Sequence, residues 1–230
     1  MQLSKSTIEV LENFAAINSA ILIRPGNRLV SIANSGGVLV NAEILDSFTG
    51  EFGVYDLKTF LSLASLVGDD AYLEINDKGY VVIQNAEKKP STRYRFFMAD
   101  KSLIKTPPKD ELIIEERLSF KLNTQLIKKI LQAISILALD NIAITSIKNN
   151  LYLGTADPKR KDTDSFSILL NDDYNGPEVN LLFAKEKFNF LQGDYNCSVG
   201  FKPTVLQLTH KDRDLRYWIA AESKSTINGE

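Results

Sequence analysis

With 230 residues, 44% hydrophobic and 24% charged side chains, and a formal net charge of −2, the chain has the composition of a globular protein with room for two ordinary cores. No apolar run approaches the ~20 residues of a membrane helix, and the near-neutral total excludes nucleic-acid binding by bulk positive charge. A single cysteine, Cys197, excludes an internal disulfide and a cysteine-rich metal site.

In chain order, any of Ser4 to Ser6 can cap a first helix that places Val10, Leu11, Phe14 and Ile17 on one side. Strand-like runs at 20–23, 28–33 and 38–44 follow. Pro25-Gly26-Asn27 and Asn34-Ser35-Gly36-Gly37 separate them as turns, so they read as consecutive antiparallel hairpins. Asp56 is placed to cap a short second helix, with Leu57, Phe60, Leu61 and Ala64 on its apolar stripe and Lys58, Ser62 and Ser65 opposite. Strand patterns at 71–75, 80–84 and 93–98 close this half.

Residues 99–111, with Lys101, Lys105, Lys109 and Pro107-Pro108, have no sustained period and read as an exposed, extended connector. A strand at 112–120 then leads to Asn123, a cap for a helix carrying Leu126, Ile127, Ile130, Leu131 and Ile134 on its buried side. Strands at 141–147, 151–155 and 166–170 follow, then a short helix at 184–190 and strands at 195–201, 204–209 and 215–221. Residues 222–230 form a polar tail that is expected to fray.

The same order of helix, three strands, short helix and three strands thus occurs twice. The chain therefore reads as two similar domains, 1–98 and 112–230, joined by the connector 99–111. Without the long crossovers of a parallel sheet, the class is α+β, each domain having antiparallel sheets with two helices on one side.

Catalytic provision is thin. His210, beside Lys211 and Asp212, lacks a serine motif and reads as a surface residue, and no Gly-rich phosphate loop is present. Asp69-Asp70 and Asp172-Asp173 read as solvated loop acids, and Cys197 as a small buried packing residue. No catalytic residue, metal or cofactor is expected. The helix-borne charges are more informative: Lys5, Lys58, Lys121, Lys128, Lys129, Lys185 and Lys187 outweigh Glu9, Glu12 and Glu186. These lysines either populate ordinary solvated faces or share one surface that meets phosphates. Arg93-Tyr94-Arg95-Phe96-Phe97 has the alternation of a half-buried strand, with base stacking as the rival reading.

Further residues carry a family likeness. Leu3-Ser4-Lys5, Asn13-Phe14-Ala15 with Ile17-Asn18-Ser19, Tyr55-Asp56-Leu57 with Phe60-Leu61, and Ser65-Leu66-Val67 occur in order. Asp69-Asp70-Ala71, Asp140 with Ile142-Ala143-Ile144-Thr145, and Gly193-Asp194-Tyr195 extend the series. In this order and spacing, over residues 1–226, the chain resembles the sliding clamps, or DNA polymerase processivity factors, of T-even-type bacteriophages. That family is similar to proliferating cell nuclear antigen.

The resemblance implies a DNA clamp fold and a homotrimeric ring, with sheets outside and helices lining a hole that encircles duplex DNA without reading its sequence. It implies a non-enzymatic role: tethering the replicative DNA polymerase for processive synthesis after an ATP-dependent clamp loader opens the ring. Late-transcription factors are further implied partners, no membrane is involved, and the setting is the cytoplasm of the infected bacterial host. The lysines named above would then face the hole. Glu12 stands where a relative carries a positive residue, with Glu9 beside it, so most phosphate contact is expected at Lys121, Lys128 and Lys129. Leu103 and Ile104 are candidates for the edge of an apolar groove that takes partner peptides, unless they simply pin the connector to the first domain. The alternative is a single-strand DNA-binding or replisome assembly protein that forms no ring.

Overall fold

Local capping starts each main helix. Ser4, in extended backbone, accepts the N–H of Thr7 on its hydroxyl and begins α1 (Lys5–Ile17). Asp56 accepts the N–H of Thr59 and begins α2 (Leu57–Val67), and Asn123 accepts the N–H of Leu126 and begins α3 (Thr124–Ile136). The computed structural model describes residues 1–68, 70–87, 90–160 and 162–228, and the chain divides into two units, Met1–Glu111 and Leu112–Glu230. Asp69, the first acid of one expected loop pair, lies outside the described residues.

In the first unit, β1 (Ile21–Ile23), β2 (Gly26–Ile32), β3 (Val38–Phe48) and β4 (Phe52–Val54) separate α1 from α2. The expected consecutive hairpins hold only for β2 and β3. Instead, β1 pairs with β4, whose three residues are all buried. So short and continuous an apolar run carries no alternation to announce a strand. α1 buries Val10, Leu11 and Phe14 and packs on β2 and β3. α2 lays its stripe on the antiparallel sheet β5 (Ala71–Ile75), β6 (Tyr80–Asn85) and β7 (Arg93–Phe97). Phe60 of α2 meets Phe96 of β7 edge to face, with ring centroids 5.1 Å apart.

In the second unit, β8 (Leu118–Leu122) precedes α3. Then come β9 (Asn141–Ile147), β10 (Asn150–Ala156), β11 (Ser167–Asn171), β12 (Glu178–Ala184), β13 (Tyr195–Phe201), β14 (Thr204–His210), β15 (Leu215–Ala220) and β16 (Thr226–Asn228). One sheet has the order β11-β10-β9-β12-β16, and β8-β13-β14-β15 are neighbours in another. α3 packs on β9 and β10.

Three expectations change. The strand expected from 112 begins only at Leu118, and Ile113 is fully exposed. The expected short helix at 184–190 is one 3-10 turn, Lys185–Lys187, because β12 occupies the apolar run just before it. The tail does not simply fray, since Thr226, Ile227 and Asn228 pair with Asn180, Val179 and Glu178. The duplication survives these changes: β1–β4 and β9–β12 stand in the same place, and the first strand pairs with the fourth in both units.

Trp218, Tyr195, Tyr217 and Phe183 fill the second core. Cys197 lies among the buried residues of β13, and burial pushes its thiol up to about 12.

The start of α1 is tied to β3 through Asp46, whose carboxylate accepts both the N–H and the hydroxyl of Ser4 at 2.8 Å. Partial burial opposes ionisation of Asp46. Hydrogen bonds from Thr7 and Ser4 outweigh it and hold the carboxyl below the usual carboxylate range. A carboxyl with a lowered folded-state pKa contributes fully above the ordinary carboxylate range, and the contribution is lost as pH falls from that range through the lowered folded-state value. Asp46→Asn is expected to flatten the acid limb of the stability curve, as read by urea unfolding at a series of pH values. Asn123→Ala is expected to cost about 1 kcal/mol of stability at neutral pH.

Candidate nucleic-acid interface

α3 reads Thr-Gln-Leu-Ile-Lys-Lys-Ile-Leu-Gln-Ala-Ile-Ser-Ile and contains no acidic residue. Ile130, Ala133 and Ile134 are buried, which turns Gln125, Lys128, Lys129, Gln132 and Ser135 to solvent. The exposed face therefore carries two positive charges with no carboxylate at helical spacing to pair with them. Lys121 sits on an exposed position of β8, opposite Asn196 and two residues before the helix cap. Neither Lys121, Lys128 nor Lys129 is held in an ion pair among the described residues. All three ammonium groups are sterically able to approach an anion.

The start of α3 is fixed by a network that sequence reasoning missed. Thr124 N–H donates to Asp194 Oδ1 at 3.1 Å, and Lys211 N–H donates to the Asp194 carbonyl at 3.0 Å. The loop before Asp194 is held by Tyr195, whose hydroxyl donates to the Leu191 carbonyl, and by Tyr217, whose hydroxyl accepts the Leu191 N–H at 3.1 Å.

His210 belongs to this network and is only 6% exposed, correcting its reading as a surface residue. It ends β14 in register with Tyr195, and its ring lies edge-on to that tyrosine at 5.0 Å. The Asp212 N–H donates to Nδ1 at 3.0 Å, and Nε2 lies 3.4 Å from the Gln192 carbonyl. A side chain at Gly193 would bring a Cβ within 2.0 Å of that Nε2.

The remaining lysines are unequal. Lys185 lies 2.6 Å from Asp140 and also donates to the Leu139 carbonyl at 3.1 Å. Its hydrogen bond and charge hold the Asp140 carboxyl below the usual range. Lys187 pairs with Glu222 at 2.6 Å and donates to the Ala220 carbonyl at 3.0 Å, with a side chain only 16% exposed. Both ammonium groups thus have partners within their own unit, so a phosphate would compete with those contacts, more readily at the exposed Lys185–Asp140 pair than at the half-buried Lys187.

In the first unit, Lys5, Glu9 and Glu12 share the exposed stripe of α1 at i, i+4 and i+7, so that stripe is net negative. Lys58 is the one charged residue on the exposed side of α2. Lys5 and Glu12 line the mouth of a cleft of about 240 Å³ between α1 and α2, floored by Ile8, Leu61 and Leu73.

The two apolar connector candidates also part. Leu103 ends a 3-10 turn capped by Asp100 and is 70% exposed. Ile104 is 5% exposed, and its Cδ1 fills the place of the missing side chain at Gly53, so it pins the connector to the first unit. On β7, Arg93, Arg95 and Phe97 are exposed while Tyr94 and Phe96 are half-buried, as a strand at a sheet surface requires. The Arg95 guanidinium lies 5.5 Å from the Tyr80 ring centroid.

The sequence profile of the DNA polymerase processivity factor family matches residues 4–105. A sliding clamp of Escherichia phage RB69 is 29% identical over 230 residues, covering 98% of this chain and 99% of its own. The sliding clamp of Vibrio phage KVP40 is 29% identical over 204 residues, covering 86% and 90%. The backbone is similar to that of A. fulgidus PCNA, solved with the C-terminal region of FEN-1, at a TM-score of 0.66 and 16% identity over 95% of this chain and 96% of that one. The likeness to phage sliding clamps read from the sequence is borne out, and so is the DNA clamp fold.

Replacing Lys128 and Lys129 with Gln is expected to weaken binding of a short linear duplex equally across sequences. The slope of log affinity against log salt should lessen by about 0.9 for each phosphate that is no longer neutralised. Lys187→Gln is expected to leave that slope unchanged. Fluorescence anisotropy at a series of salt concentrations checks both.

Proposed function

We infer that this chain is a sliding clamp of the phage DNA polymerase processivity factor family, acting as a ring that encircles duplex DNA and tethers a DNA polymerase to it. The observation that carries this reading is the acid-free, two-lysine face of α3 in a chain related to phage sliding clamps over nearly its whole length.

A ring asks for little from each phosphate contact, because departure from the duplex requires opening an interface or reaching an end. Lys121, Lys128 and Lys129 supply mobile, sequence-blind point charges suited to sliding. Lys58 adds a charge on α2, and Lys5 one at the start of α1 beside Glu9 and Glu12. The negative stripe around Glu9 and Glu12 places less of the attraction on the first unit.

Ring closure needs a heterologous contact, the same two surfaces meeting head to tail. Each unit ends a sheet in an edge strand, β7 in the first and β11 in the second. The two edges are complementary. β7 exposes Arg93, Arg95 and Phe97, whereas β11 exposes Leu169 and is followed by exposed Asp172 and Asp173, the segment before it mixing exposed Asp162 and Asp164 with Lys159 and Arg160. Strand addition between copies along these edges would supply main-chain hydrogen bonds, charge pairing and apolar contact together. The trimer, the ATP-dependent loader that opens it, and late-transcription factors on its outer surface belong to this reading, as does action inside the infected bacterial cell. Exposed Leu103 remains a candidate contact for a partner peptide.

The test is topological. Protein loaded onto nicked circular duplex by its cognate loader should co-elute with the DNA at moderate salt and be lost when the circle is linearised. Retention on linear and circular DNA alike would replace the ring with an ordinary binder, and a preference for single strands would favour the non-ring alternative. Arg93→Glu combined with Arg95→Glu is expected to lower the mass observed by sedimentation equilibrium from trimer toward monomer while leaving the circular dichroism spectrum unchanged.

A further inference from the structure

The sheet β5-β6-β7 has two edges, and they are treated differently. β7 is the outermost strand on one side. On the other side, the segment before α1 lies along β5. The N–H of Leu73 donates to the Met1 carbonyl at 2.7 Å, Met1 N donates to the Leu73 carbonyl at 2.6 Å, and Gln2 forms an antiparallel bridge with Tyr72.

The segment is held by its side chains as well as its backbone. Leu3 lines the cleft with Ile8, Leu61 and Leu73, and Ser4 is fastened to Asp46 through its N–H and its hydroxyl. The second unit covers the same position in the duplicated order, where β8 pairs with β13 over Leu118–Leu122. There a whole strand lies on the sheet, and here a single bridge does.

An uncovered edge is a row of unsatisfied N–H and C=O groups that will accept any extended segment in reach. With both edges of β5-β6-β7 open, a copy of the chain could add at β5 as readily as at β7, and head-to-tail closure would compete with open-ended association. We propose that residues 1–4 are an edge guard: they occupy β5 so that β7 alone accepts a strand from a second copy, which makes assembly directional and closed. This inference rests on the ring reading given above.

The test compares the full-length wild-type chain with Leu3→Asp, whose carboxylate is incompatible with the apolar floor of the cleft, and with the milder Leu3→Ala. A third variant, Gln2→Cys with Tyr72→Cys, locks the guard on β5 by a cross-strand disulfide when oxidised. Hydrogen exchange at β5 amides reports release of the guard, circular dichroism reports folding, and sedimentation velocity reports the species present. Released variants are expected to lose the single discrete wild-type species in favour of larger, concentration-dependent ones, while the locked variant keeps it.

A variant that folds, exchanges faster at β5 and retains the wild-type mass distribution overturns the guard. If Leu3→Asp does not fold, Leu3→Ala decides the matter by the same two readings. A wild-type chain that is monomeric throughout refutes the ring reading instead, and the guard is then judged by whether release alone causes self-association.

Discussion

The positive face of this protein depends on the burial of one side of α3. Ile130, Ala133 and Ile134 are packed on β9 and β10, and that packing leaves Lys128 and Lys129 no direction but outward. A helix held only at its apolar stripe can still slide or rotate by a fraction of a turn. Here the start is held as well, by Asn123 through the Leu126 N–H and by Asp194 through the Thr124 N–H. Asp194 is in turn held by the loop braced on Tyr195, Tyr217 and His210. The lysines are therefore flexible side chains on a platform fixed at its buried face and at its start.

A formal charge of −2 conceals this arrangement because the charges are segregated. α3 has no acid, whereas exposed aspartates follow β11 and an acidic stripe runs along α1. Segregation lets one near-neutral chain carry surfaces of opposite sign. A lysine count alone does not locate them: Lys185 and Lys187 lie in a basic run, yet each has a carboxylate within 2.6 Å.

What was legible in the sequence was local. Ser4, Asp56 and Asn123 cap the helices because an N-cap is decided within a few residues, and the apolar stripes of α1 and α2 follow from spacing alone. The duplication was also legible, since both units repeat one order of periodic segments. What was not legible depends on partners distant in the chain. Lys185 and Lys187 are paired with residues 45 and 35 positions away. Burial of His210 is decided by its cross-strand register with Tyr195, and the Ile104 position by a glycine with no room for a side chain. β4 was hidden by its shortness, and β16 by its polar composition, since it is recruited by the edge of β12.

The depth of Cys197 has a practical chemical consequence. With its thiol pushed up to about 12 and only 1% of its surface exposed, it holds almost no thiolate at neutral pH and is closed to bulky electrophiles. The native chain is thus effectively silent toward maleimide dyes. Any cysteine introduced on an exposed position becomes the sole reactive handle, so fluorophores can be attached at chosen points without first removing a core residue. Distances between labelled copies can then be followed in real time.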